Sequence, residues 1–250
     1  MTNVATVVKS VGPKLVPFFK TVAIYFVVFI PDSSPSLYAV ILKCMPIISL
    51  IFFILLHGMN LGEEYAYSRR ILGGLMFSCI GDALLVYPQY FIQGMVAFAA
   101  AHVCYTSAFG FKPFNLSALI VVSIYAAIYL GLIFPYIYGP FKFMFPTYAF
   151  LLGGTVWRGI SRVQFFEELW TWTKLSSCAG SILFLLSDSL IGINDFVFPV
   201  PYHQALIMTT YYAAQLGISL SVVDSRASVV DCKLLKGQSH PVKHSLLEAQ

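Results

Sequence analysis

Two aspartates, Asp82 and Asp188, and a lysine, Lys43, stand inside stretches of this 250-residue sequence that are otherwise apolar. His102, Tyr105 and Tyr211 lie in similar surroundings, as does Lys20. A charged side chain within a membrane span costs at least about 2.5–3.5 kcal/mol on insertion scales, so such residues are functional candidates by default. A carboxylate pair suits acid–base chemistry without a cofactor. Other chemistries lack their parts. A metal hydrolase needs about three His or carboxylate ligands, but only His102 lies deep in an apolar run; His57 and His203 sit at segment ends. There is no GxSxG elbow and no Gly-rich phosphate loop. No metal and no cofactor is therefore expected.

Each candidate also has a structural reading. The aspartates could each pair with a lysine or cap a neighbouring backbone. Lys43 suits either neutralisation of one carboxylate or contact with a substrate. Lys20 is within reach of the interface and can snorkel. A lone His102 commonly makes a helix–helix hydrogen bond. The many Tyr and Phe residues suit lipid-facing packing and an interfacial belt. Gly73–Gly74 and Gly153–Gly154 suit close helix approach.

The elements that must carry these residues are membrane spans. The chain is 58% hydrophobic and only 10% charged, with a mean hydropathy of +0.80. A soluble domain needs roughly a quarter of its residues charged to make a hydrated surface, so lipid is the solvent for most of this chain. The net charge of +4 contains no basic run of the kind that binds nucleic acid. The five cysteines show no paired or zinc-type spacing, and four lie in apolar runs as small hydrophobes. No cleavable signal peptide is expected from residues 1–13 and the apolar run behind them.

Eight apolar segments are long enough to span: 16–31, 36–57, 70–88, 90–110, 115–134, 141–158, 172–193 and 204–224. The sequence therefore predicts an all-α integral membrane protein with a 1–15 N-terminal segment, a 16–224 eight-helix membrane domain and a disordered 225–250 tail. The run from Pro31 to Pro35 reads as a turn, and Pro88, Pro113 and Pro135 fall at segment ends. The sixth segment is interrupted by Pro146, Gly153 and Gly154.

Charge placement supports eight spans. With the N-terminus cytoplasmic, one side holds Lys9, Lys14, Arg69, Arg70, Lys112, Arg158, Arg162, Lys174, Arg226, Lys233, Lys236 and Lys243, and the other only Lys142. This is the positive-inside pattern with both termini cytoplasmic.

Depths can then be compared. Asp82 lies six residues before Pro88 and Asp188 six before Asn194. Both are therefore about 9 Å from the outer ends of parallel helices. Lys43 and Tyr211 each lie seven residues in from the same side, while His102 and Tyr105 share a face one level deeper. An offset of 106 residues carries Gly74 onto Gly180, Asp82 onto Asp188 and Tyr105 onto Tyr211. Helices 1–4 and 5–8 could thus be parallel repeats with the aspartates across a pseudo-twofold axis.

At these residues a family resemblance emerges. Phe77-Ser-Cys-Ile-Gly-Asp82-Ala-Leu-Leu, Gly94…Phe98…His102-x-x-Tyr105, Phe184-Leu-Leu-Ser-Asp188 and Tyr211-Tyr212-x-x-Gln215 together resemble the YhhN-type lysoplasmalogenase family, called transmembrane protein 86 in vertebrates. The opening, Val8-Lys-Ser-Val-Gly-Pro-Lys-Leu-Val-Pro-Phe-Phe19, is similar to that of the vertebrate A-type member. The resemblance covers the chain except for about the last twenty residues.

The resemblance implies an eight-helix hydrolase that cleaves the vinyl ether bond of lysoplasmalogens to a fatty aldehyde and glycerophosphocholine or glycerophosphoethanolamine. It implies catalytic roles for Asp82 and Asp188. Lys43, His102, Tyr105, Tyr211 and Gln215 are expected as substrate-binding or supporting residues, with Lys43 or His102 placed to hold the phosphate or orient the pair. Vinyl ether hydrolysis needs a protonated acid and an anion. Two carboxyls in a desolvated site supply both, because they cannot readily both ionise. The partner is a lysophospholipid within the bilayer, and the endoplasmic reticulum is the expected membrane. The same carboxylates also suit a proton- or cation-coupled transporter, and a non-catalytic lipid sensor is a third reading. Discontinuous helices at the site would favour transport; a pocket open to lipid would favour the enzyme.

Overall fold

The computed structural model describes residues 4–28, 34–57, 62–163 and 171–223. Among these residues the architecture is all-helical, with eight α-helices: α1 (Val4–Val28), α2 (Leu37–Leu56), α3 (Ala66–Leu85), α4 (Phe91–Phe109), α5 (Leu116–Ile133), α6 (Phe141–Ser161), α7 (Trp172–Gly192) and α8 (His203–Leu220). Seven have ends close to those expected from the apolar segments. The exception is α1, which begins at Val4 rather than at residue 16. Pro13 and Pro17 lie inside it. Each removes one backbone bond, a loss that membrane helices tolerate when neighbouring groups take up the freed carbonyls. Pro146, Gly153 and Gly154 likewise sit inside α6 without breaking it. The 225–250 tail, the Pro31–Ser33 part of the first turn and most of the loop after Arg162 lie outside the described residues.

Local chemistry sets the helix ends. Ser36, Asn115 and Thr171 each accept a hydrogen bond from the backbone N–H three residues on, capping α2, α5 and α7. Pro88 and Pro135 fall in single 3₁₀ turns at the start of α4 and the end of α5, as their placement at segment ends predicts. Gly110 closes α4 at φ +71, where a Cβ would be strained. The basic residues gather where helices end in unpaired carbonyls. Lys14 donates to Leu56 O (3.2 Å), Arg70 to Ser107 O (2.8 Å), and Arg158 to Gly110 O and Pro113 O.

Five helices, α1, α2, α4, α5 and α7, are long and apolar enough to cross a membrane. The outer surface carries exposed Phe52, Ile128, Phe143 and Phe150, a face suited to hydrocarbon. The chain is thus a multi-pass integral membrane protein. The three less apolar helices carry polar residues: Arg69, Arg70 and Asp82 on α3, Lys142 and Arg158 on α6, and Gln204, Thr209, Thr210 and Gln215 on α8.

The closest packing uses missing side chains. On α7, a Cβ at Gly180 would lie 2.7 Å from Ala214 O of α8, so the two backbones touch. On α3, a Cβ at Gly74 would strike the Tyr105 ring of α4 at 2.2 Å, so this glycine makes the slot that Tyr105 fills. Neighbours follow the same order in both halves. α1–α2, α2–α3 and α3–α4 pack as do α5–α6, α6–α7 and α7–α8, with α8 against α2 and α4 against α6.

Candidate active site

Residues of α2 to α8 border a partly open cavity whose free space, with the part open to solvent, is about 950 Å³. Asp82, Asp188, Lys43 and Tyr211 all border it. The structure thus brings together four of the residues singled out from sequence. The shared level follows from helix position: Asp82 stands three residues from the end of α3 and Asp188 four from the end of α7. Both carboxylates are sheltered, with Asp82 1% exposed and the Asp188 side chain 13%.

His102, Tyr105 and Gln215 do not line the cavity. They are fully buried behind its wall and act on it through hydrogen bonds. Tyr211 Oη donates to Asp82 Oδ2 at 2.6 Å. Its one proton being so used, it accepts from Gln215 Nε2 at 3.3 Å. Gln215 Oε1 accepts from Tyr105 Oη at 2.9 Å, which leaves Tyr105 to accept from Ser78 Oγ at 3.2 Å. Four donors from three helices therefore point in one direction and end on Asp82.

A second relay ends on Asp188. Tyr148 Oη of α6 donates to Asp188 Oδ2 at 2.5 Å. It can then only accept from His102 Nε2, 3.3 Å away, which fixes that nitrogen as the protonated one. His102 Nε2 also lies 3.8 Å from Asp188 Oδ2. His102 Nδ1 faces Thr155 Oγ1 at 3.3 Å, and Thr155 is 2.9 Å from Thr106 Oγ1. The buried Phe184 ring stands between the relays, with centroids 4.7 Å from His102 and 5.5 Å from Tyr211.

Lys43 is half-buried, and among the described residues its ammonium forms no ion pair with either carboxylate. Its backbone carbonyl accepts from Tyr212 Oη at 2.9 Å, which ties α2 to α8. Lys20, by contrast, is exposed on α1 and takes no part.

Tyr148, Thr155 and Ser78 escaped the sequence reading. Tyr148 and Thr155 are seven residues apart on one face of α6, and Ser78 lies one turn before Asp82. Helical spacing relates them to the site, but nothing in the sequence sets these hydroxyls apart from those of apolar runs that only pack.

The rest of the cavity wall is apolar. Phe91, Met95, Val122, Ala126, Phe145 and Leu152 form a surface suited to a hydrocarbon chain. Among the described residues no cluster of three or more His, Cys, Asp or Glu could hold a metal ion. The arrangement can bind an amphiphile and offers it two carboxyls on one cavity, either of which can move a proton or stabilise a nearby cation.

Fold and geometry together define a polytopic membrane protein with two sheltered carboxylates on one cavity. The chain belongs to the YhhN family, whose model matches residues 38–222. Lysoplasmalogenase TMEM86A of Bos taurus is 42% identical to it over 240 residues, 95% of this chain and 100% of the relative. Lysoplasmalogenase TMEM86A of Homo sapiens is 41% identical over 94% of this chain and 99% of its own. Lysoplasmalogenase TMEM86B of Sus scrofa is 39% identical over 86% of this chain and 88% of its own. No solved structure matches the chain.

Proposed function

We propose that this protein is a lysoplasmalogenase: a membrane hydrolase that cleaves the vinyl ether bond of 1-alkenyl lysophospholipids with Asp82 and Asp188. The enzyme class rests on kinship, since relatives 39–42% identical over most of both chains bear that name. The site assignment rests on one observation, that two sheltered carboxylates border a single cavity and each receives a phenolic hydrogen bond.

The chemistry follows from the substrate. One carboxylic acid protonates the β-carbon of the vinyl ether, giving an oxocarbenium ion that the other carboxylate stabilises. Water adds to the cation and returns a proton to the pair. The resulting hemiacetal collapses to a fatty aldehyde and the free hydroxyl of the glycerophospho-base. Because a coupled pair titrates as a unit, neither aspartate is assigned a single role. The alkenyl chain lies along the apolar wall, and Lys43, which forms no ion pair among the described residues, meets the phosphate. His102, Tyr105 and Gln215 hold the donors in place from behind the wall. α3, α7 and α8 are continuous where they carry Asp82, Asp188 and Tyr211, which favours an enzyme over a transporter with broken helices.

In this reading all eight helices span the membrane, the basic face is cytoplasmic with both termini, and the endoplasmic reticulum is the host membrane. The matching neighbour order in the two halves supports a parallel repeat. The side-chain partners have diverged from it: Asp82 is held by Tyr211, but Asp188 by Tyr148 rather than by Tyr105.

Incubation of the purified protein with 1-alkenyl lysophosphocholine tests the proposal. Free aldehyde and glycerophosphocholine in equal amounts are expected. Absence of aldehyde from folded protein, together with carboxylate-dependent cation flux in sealed vesicles, would replace the hydrolase with the transporter.

A further inference from the structure

We infer that the two-carboxylate site is served from one membrane face only, the face opposite the chain's two termini. The inference rests on the eight-span hydrolase reading and adds the side from which substrate comes and to which product leaves. With eight spans, α1 begins and α8 ends at the same face. Even-numbered helices start at the opposite face, and odd-numbered helices end there.

The cavity lies in the half of the bundle away from the termini. Lys43 is in the first half of α2, Asp82 and Leu85 near the end of α3, and Asp188 and Gly192 near the end of α7. Val122, Leu152 and Gly153 reach deepest, and each lies within one turn of its helix midpoint. Below that level the interior is filled. Ser78, His102, Tyr105, Thr155, Phe184 and Gln215 form a floor with no solvent exposure.

The terminal face is closed again beneath the floor. Gly180 and Gly217 bring the α7 and α8 backbones into contact, and Ser176 Oγ bonds Gly217 O at 2.9 Å. The buried Arg158 guanidinium ties α6 to the Gly110 and Pro113 carbonyls and stacks on Trp157. Arg162 lies over the Tyr67 and Phe109 rings and donates to Tyr67 Oη at 2.9 Å, and Tyr67 is 2.6 Å from Ser221 Oγ of the turn after α8. These contacts join the ends of α3, α4, α6 and α8 in one layer. A zwitterionic headgroup or a glycerophospho-base would have to break this polar layer and the packed floor to pass, leaving polar groups unpaired in apolar surroundings.

The substrate lipid is therefore drawn from the leaflet opposite the termini. The water consumed enters and the glycerophospho-base leaves on that side, while the apolar aldehyde stays in the bilayer. Under the positive-inside orientation this is the non-cytoplasmic leaflet.

Sealed liposomes holding the full chain with a C-terminal tag test this. Capture on an anti-tag matrix separates vesicles with the tag outside from those with it inside. 1-Alkenyl lysophosphocholine, whose headgroup crosses bilayers slowly, is added outside, and glycerophosphocholine is measured. Tag-inside vesicles should hydrolyse it at once; tag-outside vesicles should stay near background and rise at least about tenfold on permeabilisation. Equal rates in intact tag-outside vesicles overturn the inference. A second readout needs no activity. Ala126→Cys, on the cavity wall, should react with a membrane-impermeant maleimide, above the wild-type background, only from the side opposite the tag; reaction from the tag side overturns the inference. No hydrolysis even after permeabilisation removes the hydrolase reading, and the labelling then decides the sidedness by itself.

Discussion

The Tyr148 phenol on α6 donates a 2.5 Å hydrogen bond to the Asp188 carboxylate on α7. The Asp82 carboxylate on α3 has a counterpart in Tyr211 of α8, at 2.6 Å. Both tyrosines border the cavity, so each stands where it can orient a reacting carboxyl and touch the substrate. Tyr148→Phe and Tyr211→Phe keep the rings and remove only the donors. A hydrogen bond to a charged group is worth about 1.5–3 kcal/mol, so each change should lower kcat about 10–100-fold. Aldehyde release from purified variants measures it; unchanged kcat would reduce the phenols to packing.

The carboxylates themselves should be indispensable. Asp82→Asn and Asp188→Asn keep size and hydrogen bonding but remove acid and anion. Each should abolish hydrolysis in protein that still inserts and folds, and the double variant should lose little more, because groups acting as a unit are not additive. Wild-type rates in both single variants would end the two-aspartate mechanism.

Lys43 separates headgroup binding from charge balance. It borders the cavity and forms no ion pair among the described residues. Lys43→Met should therefore raise KM for the lysophospholipid while kcat and expression hold. Misfolding, or a displaced pH profile at unchanged KM, would instead make it a counter-ion to the pair.

Helix contact makes a stability forecast. A Cβ at Gly180 meets Ala214 O at 2.7 Å and Ile218 N at 2.9 Å, both backbone atoms that cannot swing aside. Gly180→Ala should cost about 1–3 kcal/mol or more through overpacking. Gly131→Ala on α5, where nothing lies within 4 Å, should be neutral or stabilising by up to about 1 kcal/mol. Thermal unfolding in detergent compares the two, and equal midpoints would refute the backbone-contact account.

Much of this protein is legible in one dimension. Apolar run length and turn residues place the ends of α2 to α8 within a few residues, because each helix is a local element whose backbone bonds to itself. The shared level of Asp82, Asp188, Lys43 and Tyr211 also follows from counting, since an α-helix has a fixed rise per residue. The start of α1 is not legible in this way. Pro13 and Pro17 look like breaks, yet the helix runs through them.

Rotation and neighbourhood belong to the tertiary structure. Counting residues sets how deep a side chain lies but not which way it faces, so it sets His102 and Tyr105 one level deeper, and the packing puts them behind the cavity wall. The offset that pairs Asp82 with Asp188 would give Asp188 a phenol from α4, but it comes from Tyr148 on α6. That choice depends on which helices touch. Contact between α4 and α6 sets His102 beside Tyr148, and the slot left by Gly74 turns Tyr105 toward Gln215. Helix depth is a one-dimensional property set by the bilayer, whereas a hydrogen-bond relay needs donors from several helices at angles that only their mutual packing fixes.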